Sequence, residues 1–215
     1  MTKVTILGAN GQIARLVEQH FINHADVQMN LFARDTDRLP SDIQNAMNTE
    51  IIEGDVNHYH AVFEAIAESD MVYANLGGQF TPMVRNIVKA MNEANVTRLI
   101  YVTGLGLYHE VPDPFGTWLE QSVGHAVMED TRTAAQLIEN NLAIDYTIIR
   151  AAYMSNNDMI DYELTNGDEP FKGTTISRAS IANLIEEIIL HPNEHKNESL
   201  GISQPGTDGD TPIYK

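Results

Sequence analysis

The sequence predicts an α/β protein, a doubly wound and mostly parallel sheet (a Rossmann fold) with helices on both faces. Three observations lead there. Short β-branched apolar runs alternate with helical apolar stripes from one end of the chain to the other, which is the pattern of βαβ units. The first run is compact and wholly buried in character, as in strands covered on both sides. It ends in a glycine turn that opens straight into a helical stripe.

The elements follow in order. Residues 4–7 form the first strand, ended by Gly8. Ile13, Leu16, Val17, His20 and Phe21 then fall at i, i+3, i+4, i+7 and i+8, one apolar face of a helix. Residues 27–33, 50–53 and 71–75 supply the second, third and fourth strands. Met83, Val84, Ile87, Val88 and Met91 make another helix stripe, and LIYVT at 99–103 is the fifth strand. Leu137 and Ile138 sit in a polar helix before a sixth strand at 146–149. Ile181, Leu184, Ile185, Ile188 and Ile189 give the cleanest helix of all. One domain over 1–215 accommodates this series, without repeats or a low-complexity linker. Two irregular segments, 104–124 with Pro112, Pro114 and Trp118, and 151–175, break the rhythm. Both follow carboxyl ends of predicted strands, where open α/β sheets hold ligands, so they are expected to cap a substrate.

Composition narrows the function. Thirty acidic against thirteen basic residues give a net charge of −17, which disfavours nucleic acid and anionic membranes as partners. The absence of cysteine removes disulfides, thiolate metal sites and cysteine nucleophiles. Neither a signal peptide nor a run of the roughly 20 apolar residues that a span needs is visible, so the expectation is a soluble, cytoplasmic protein with a small-molecule substrate. The periodicity carries no information on oligomeric state.

The strongest chemical signal is Gly8-Ala9-Asn10-Gly11-Gln12-Ile13-Ala14. Gly8 permits a tight turn, Gly11 lets backbone amides approach a pyrophosphate, and Ala14 allows close packing of helix on strand. The helix N-terminus then offers unpaired N–H groups and a positive dipole end to phosphates. The spacing GxxGxxA, with IxGAxG after the first strand, resembles the atypical short-chain dehydrogenase/reductases, particularly their NmrA-like and NAD(P)H-binding group. ARDTDRLP (33–40) looks like the segment after the second strand in NADP-dependent members, including the flavin/biliverdin-IXβ reductases. EGDV (53–56) resembles their third-strand end, LGG (76–78) the turn after the fourth strand, LIENNLAIDYTIIR (137–150) the run into the sixth, and FKGTTISRASIANLI (171–185) the late helix entry. The resemblance implies that Gly8, Asn10, Gly11, Gln12, Ile13, Asp55, Val56, Leu76, Gly77, Gly78 and Thr103 bind the cofactor, Asp55 on its adenine side.

Cofactor choice has a physical handle. A carboxylate at the end of the second strand suits the ribose hydroxyl of NAD, and an arginine suits the 2′-phosphate of NADP. Arg34 stands there, Arg38 follows one turn on, and Arg15 lies just beyond the glycine loop, while Asp35, directly after Arg34, is the charge that opposes them. NADP is expected, with NAD as the alternative.

The acid–base chemistry is less legible. None of the eight tyrosines has a lysine four residues on, so the Tyr-x-x-x-Lys pair of the ordinary short-chain reductases is missing. The segment lining up with the family's lysine position is DTRT (130–133). Thr103 is the available hydroxyl at the fifth strand's end. Tyr108 and His109 are the remaining acid–base candidates, and Tyr153 and Met154, with Tyr108, are expected to wall the substrate pocket. His191-Pro-Asn-Glu-His195 fits a zinc-peptidase string, but Pro192 takes it off a helix, and no metal site is expected. These readings predict hydride transfer from NADPH to a small, conjugated carbonyl, quinone or flavin-like substrate. The alternative is a non-catalytic, NmrA-like redox sensor.

Overall fold

In a computed structural model, which describes residues 1–214, the strands assemble as expected. The first half of the chain gives β1 (Thr2–Leu7), α1 (Gln12–Phe21), β2 (Val27–Ala33), a short α2 (Ser41–Gln44), β3 (Thr49–Glu53), α3 (Tyr59–Ile66) and β4 (Met71–Ala74). The second gives α4 (Phe80–Ala94), β5 (Arg98–Gly104), α5 (Phe115–Val123), α6 (His125–Glu139), β6 (Asp145–Ala151), β7 (Tyr153–Ser155), β8 (Glu163–Thr165), β9 (Thr175–Ser177), α7 (Arg178–Leu190) and β10 (Glu198–Ser203). The main sheet has the order β3-β2-β1-β4-β5-β6-β10-β8. All its pairings are parallel except β10 with β8. Strands β7 and β9 form a small parallel ribbon apart from it.

Each central strand feeds both faces. Ile6 and Leu31 point to the side of α1 and α7, while their neighbours Leu7 and Phe32 point to the side of α3, α4 and α6. The strand order reverses between β1 and β4, whose neighbouring crossovers lie on opposite faces, and this opens a crevice at the carboxyl edge.

Several expectations need correction. Segment 104–124 is not irregular throughout, since α5 occupies Phe115–Val123 behind Pro114 at its N-cap. Gly124 then separates α5 from α6 with a φ of 90°, a conformation that favours glycine. Segment 151–175 likewise holds β7 and β8. Leu16 and His20, assigned to the apolar face of α1, lie partly out in solvent, and Ala14 and Glu18 are buried there instead. Among the described residues no helix is long and apolar enough to cross a membrane.

Candidate functional site

The carboxyl edge of the sheet carries three adjoining cavities. The first, of about 720 Å³, is lined by the glycine loop (Gly8, Asn10, Gly11), by Arg34, Asp35 and Arg38 after β2, by Asp55 and Val56 after β3, and by residues 75–79 after β4. A second, of about 360 Å³, shares Asn75 and Leu76 with it and continues past Gln12 and Ile13 to Thr103, Met154 and Arg178. A third, of about 430 Å³, shares Thr103, Met154 and Arg178 and runs on into Leu119, Val123, Val127, Met128 and Tyr153. A polar groove with exposed arginines at one end thus passes through Thr103 into an apolar chamber.

The glycine loop is braced by groups the sequence did not flag. Gly8 adopts φ 90°, and a Cβ there would meet the Asn75 carbonyl oxygen at 2.2 Å. At Gly11 a Cβ would lie 1.8 Å from Asn75 Nδ2. Gly11 lines the cleft as expected for a phosphate site, and its missing side chain also makes room for Asn75. Gly77 is different, because a Cβ there meets nothing within 4 Å while the residue lines the cleft. No side chain caps α1, so the N–H groups of its first turn, residues 12–14, remain free for a ligand.

The arginine corner is also built from the loop. Asn10 Nδ2 donates to the Asp35 carbonyl at 2.5 Å, and Arg15 donates to Asn10 Oδ1 at 3.1 Å and to the Arg38 carbonyl at 2.5 Å. Arg15 thereby ties the corner together rather than facing the cleft. Arg34 and Arg38 line the cleft, exposed, and neither forms an ion pair among the described residues. The Asn57 backbone N–H, at 2.9 Å, is the main cause holding the Asp55 carboxyl below its usual range, and the Arg34 charge adds to it.

At the far end Thr103 is 6% exposed, and its hydroxyl has no partner among the described residues. A buried donor left this way is costly unless a ligand completes it. Tyr153, which lines the chamber, packs edge-on to Trp118 at 5.2 Å, and Trp118 stacks on Phe115 at 5.9 Å, so the α5 aromatics back the chamber wall from behind. Burial pushes the Tyr153 phenol up.

Two expected acid–base residues are not brought to this cleft. Tyr108 packs on the other face of the sheet, against the core of α3, α4 and α6. Its hydroxyl donates to Glu139, and burial first, then that carboxylate, raises its pKa. His109 is exposed and lines a separate cavity with Glu120 and Arg132. The sequence placed both just after a strand end, but the turn at Gly106, with φ 90°, carries the chain away. The DTRT segment serves structure. Asp130 accepts from the N–H groups of Phe80 (2.6 Å) and Thr81 (3.1 Å), capping α4. Burial raises its pKa, but these bonds with that of the Thr81 side chain outweigh it, and the net shift is downward. Arg132 reaches Glu120, Glu129 and the Gly106 carbonyl, joining α6 to α5. The histidines of the 191–195 string face different carboxylates, His191 towards Glu187 and His195 towards Glu198.

Residues the sequence reading missed are Asn75 and Arg178. The sequence signal for Arg178 is a motif matched by resemblance alone, and Asn75 reads in sequence as the last residue of the fourth strand.

Comparison with known proteins agrees with the fold and with an NAD(P)H-binding domain. The NAD(P)H-binding family matches residues 8–192. A Rossmann-fold NAD(P)-binding family protein from Shigella flexneri is 39% identical, with all of both chains covered and a TM-score of 0.85. A short-chain dehydrogenase/reductase from Veillonella parvula DSM 2008, solved in complex with NADP, is 27% identical over 99% of each chain, with a TM-score of 0.92. An anaerobillin reductase from Escherichia coli O157:H7 shares the fold at 17% identity, TM-score 0.79, over 97% of this chain and 100% of its own. No protein of curated function matches the chain in sequence.

Proposed function

The chain belongs to the NAD(P)H-binding family, and on that premise we propose that it is an NADPH-dependent reductase of a small, largely apolar acceptor. The observation carrying this reading is the continuity of the cleft from Arg34 and Arg38, past the free N-terminus of α1, to Thr103 and the apolar chamber. One end suits an extended anionic cofactor and the other a desolvated substrate.

Arg34 and Arg38 would hold the 2′-phosphate, and the Veillonella parvula relative with bound NADP supports that preference. The first-turn N–H groups of α1 would take the pyrophosphate. When bound, the reduced nicotinamide supplies a hydride. Thr103 offers a hydroxyl where the two cavities meet and would orient the acceptor's heteroatom there by hydrogen bonding, while Tyr153 walls the chamber. Leu119, Val123 and Met128 exclude water there. Positioning, rather than a tyrosine–lysine proton relay, would be the protein's contribution, and the proton that neutralises the reduced acceptor would come from solvent.

The test is incubation with NADPH and a panel of flavins, quinones and conjugated carbonyls, following absorbance of the reduced nicotinamide. Turnover with one acceptor class is expected. Tight cofactor binding without turnover across the panel would favour a redox sensor instead. The structural use of Asp130 and Arg132, at the position lined up with the family's lysine, is what keeps that second reading in view.

A further inference from the structure

The apolar chamber carries one charged side chain, and local physics argues against a cation there. Arg178 is the first residue of α7, directly after the Ser177 cap. The positive end of the helix dipole disfavours a guanidinium in that turn, and no acidic residue accompanies it. Arg178 forms no ion pair among the described residues. Its polar contact is a 2.8 Å hydrogen bond to the Asn156 amide oxygen. The side chain is half-buried and lines both the pocket leading from the glycine loop and the apolar chamber, so it sits where the two meet.

A second observation at the same place points to a ligand. The Thr103 hydroxyl, in the same two cavities, is buried without a partner among the described residues. The rest of the chamber, Leu119, Val123, Val127, Met128 and Met154 among it, offers nothing to neutralise a cation. In a chain of net charge −17 with thirteen basic residues, an arginine held at a helix N-terminus without a counter-ion is a site waiting for an anion. A planar, half-buried guanidinium at the mouth of an apolar chamber matches a planar, singly charged carboxylate better than a strongly hydrated phosphate.

We infer that the substrate is an apolar, flat molecule bearing a carboxylate, which Arg178 takes at the junction of the two cavities while the apolar body fills the chamber. This rests on the reductase reading for its description as a substrate, but the anion site itself stands on Arg178 and Thr103.

The experiment uses 2-naphthoate and its neutral counterpart 2-naphthamide as probes, titrated calorimetrically into the full chain, alongside NADPH. The parent should bind the acid at least about tenfold more tightly than the amide. Arg178→Ala should remove that discrimination and leave amide and NADPH affinities unchanged. Arg178→Lys should restore part of it, and a thermal melt confirms that both variants fold. Equal binding of acid and amide by the parent, or binding of neither, would overturn the inference. So would an Arg178→Ala variant that loses NADPH affinity yet keeps its preference for the acid, because Arg178 would then belong to the cofactor. A parent that discriminates the probes but binds no NADPH would leave the anion site standing and remove the reductase reading.

Discussion

Arg34 and Arg38 are exposed and form no ion pair among the described residues, and the backbone beside them is pinned where the Asn10 and Arg15 side chains donate to the Asp35 and Arg38 carbonyls. A charge-assisted contact from Arg34 to a 2′-phosphate belongs to a class worth roughly 1.5–3 kcal/mol. Arg34→Ala should therefore weaken NADPH by about 10- to 150-fold and NADH little, with Arg38 pulling the loss towards the lower figure. Paired titrations at fixed ionic strength measure this, and equal losses for both cofactors would make Arg34 structural. Gly77 provides the complementary steric probe. Gly11→Val drives a side chain into Asn75 and confounds folding with binding, whereas a Cβ at Gly77 meets no protein atom. Gly77→Val should keep the parent's melting temperature and lose cofactor affinity by at least about tenfold; a variant binding NADPH normally would move the cofactor off this turn. The glycine loop, the arginines and Thr103 were legible because their chemistry is tied to strand ends. Tyr108 and His109 were misplaced because one positive-φ glycine turns the chain, and Arg178 was overlooked because only three-dimensional adjacency brings the start of α7 beside the end of β5.

At the scale of elements, α1 and α7 meet over one face of the sheet with two carboxylates between them. Glu18 on α1 is fully buried, and among the described residues neither of its oxygens nor the nearby Tyr73 hydroxyl has a hydrogen-bond partner. Burial pushes the Glu18 carboxyl up to about 8, against the opposing charge of Arg15. Glu186 on α7, 3.2 Å from His20, is pushed up to about 7 by burial and then by Glu187. Glu18 is protonated in the folded chain at pH 7 but ionised in the unfolded one. Its contribution to stability is thus complete below about pH 4.5 and is lost as pH rises towards about 8. Glu18→Gln cannot ionise, so it should match the parent near pH 4.5 and exceed it by on the order of 3 kcal/mol at pH 7. Denaturant midpoints across that range check this, and parallel parent and variant curves would refute it. The variant should retain a shallower slope from Glu186. Periodicity predicted α1 but not Glu18, since a buried carboxylate contradicts the pattern that locates the helix. The same limit hid β10, whose ESLGIS reads as polar until its pairing with β6 buries Leu200 and Ile202. The central strands, apolar on both sides, needed no such partner to be seen.

For the molecule as a whole, a net charge of −17 must repel an anionic cofactor, and binding depends on a few cations and a helix N-terminus overcoming that field locally. The two contributions respond differently to salt. Raising ionic strength from about 10 mM to about 150 mM shortens the Debye length from roughly 30 Å to roughly 8 Å, which removes most of the distant repulsion. It also weakens the contacts of Arg34 and Arg38, because both are exposed. In the parent the effects oppose each other, and NADPH affinity should change little or fall with salt. With Arg34 and Arg38 both replaced by alanine the attraction goes and the repulsion stays, so the remaining weak NADPH binding should tighten as salt is added. The check is a pair of NADPH titrations across that salt range, with the pH fixed so that Glu18 and Glu186 hold the same charge throughout. If the double variant weakens with salt as steeply as the parent, cations elsewhere hold the phosphates and the arginine corner does not. If neither protein responds, short-range hydrogen bonds from the first turn of α1 dominate, and the overall charge has no part in cofactor choice.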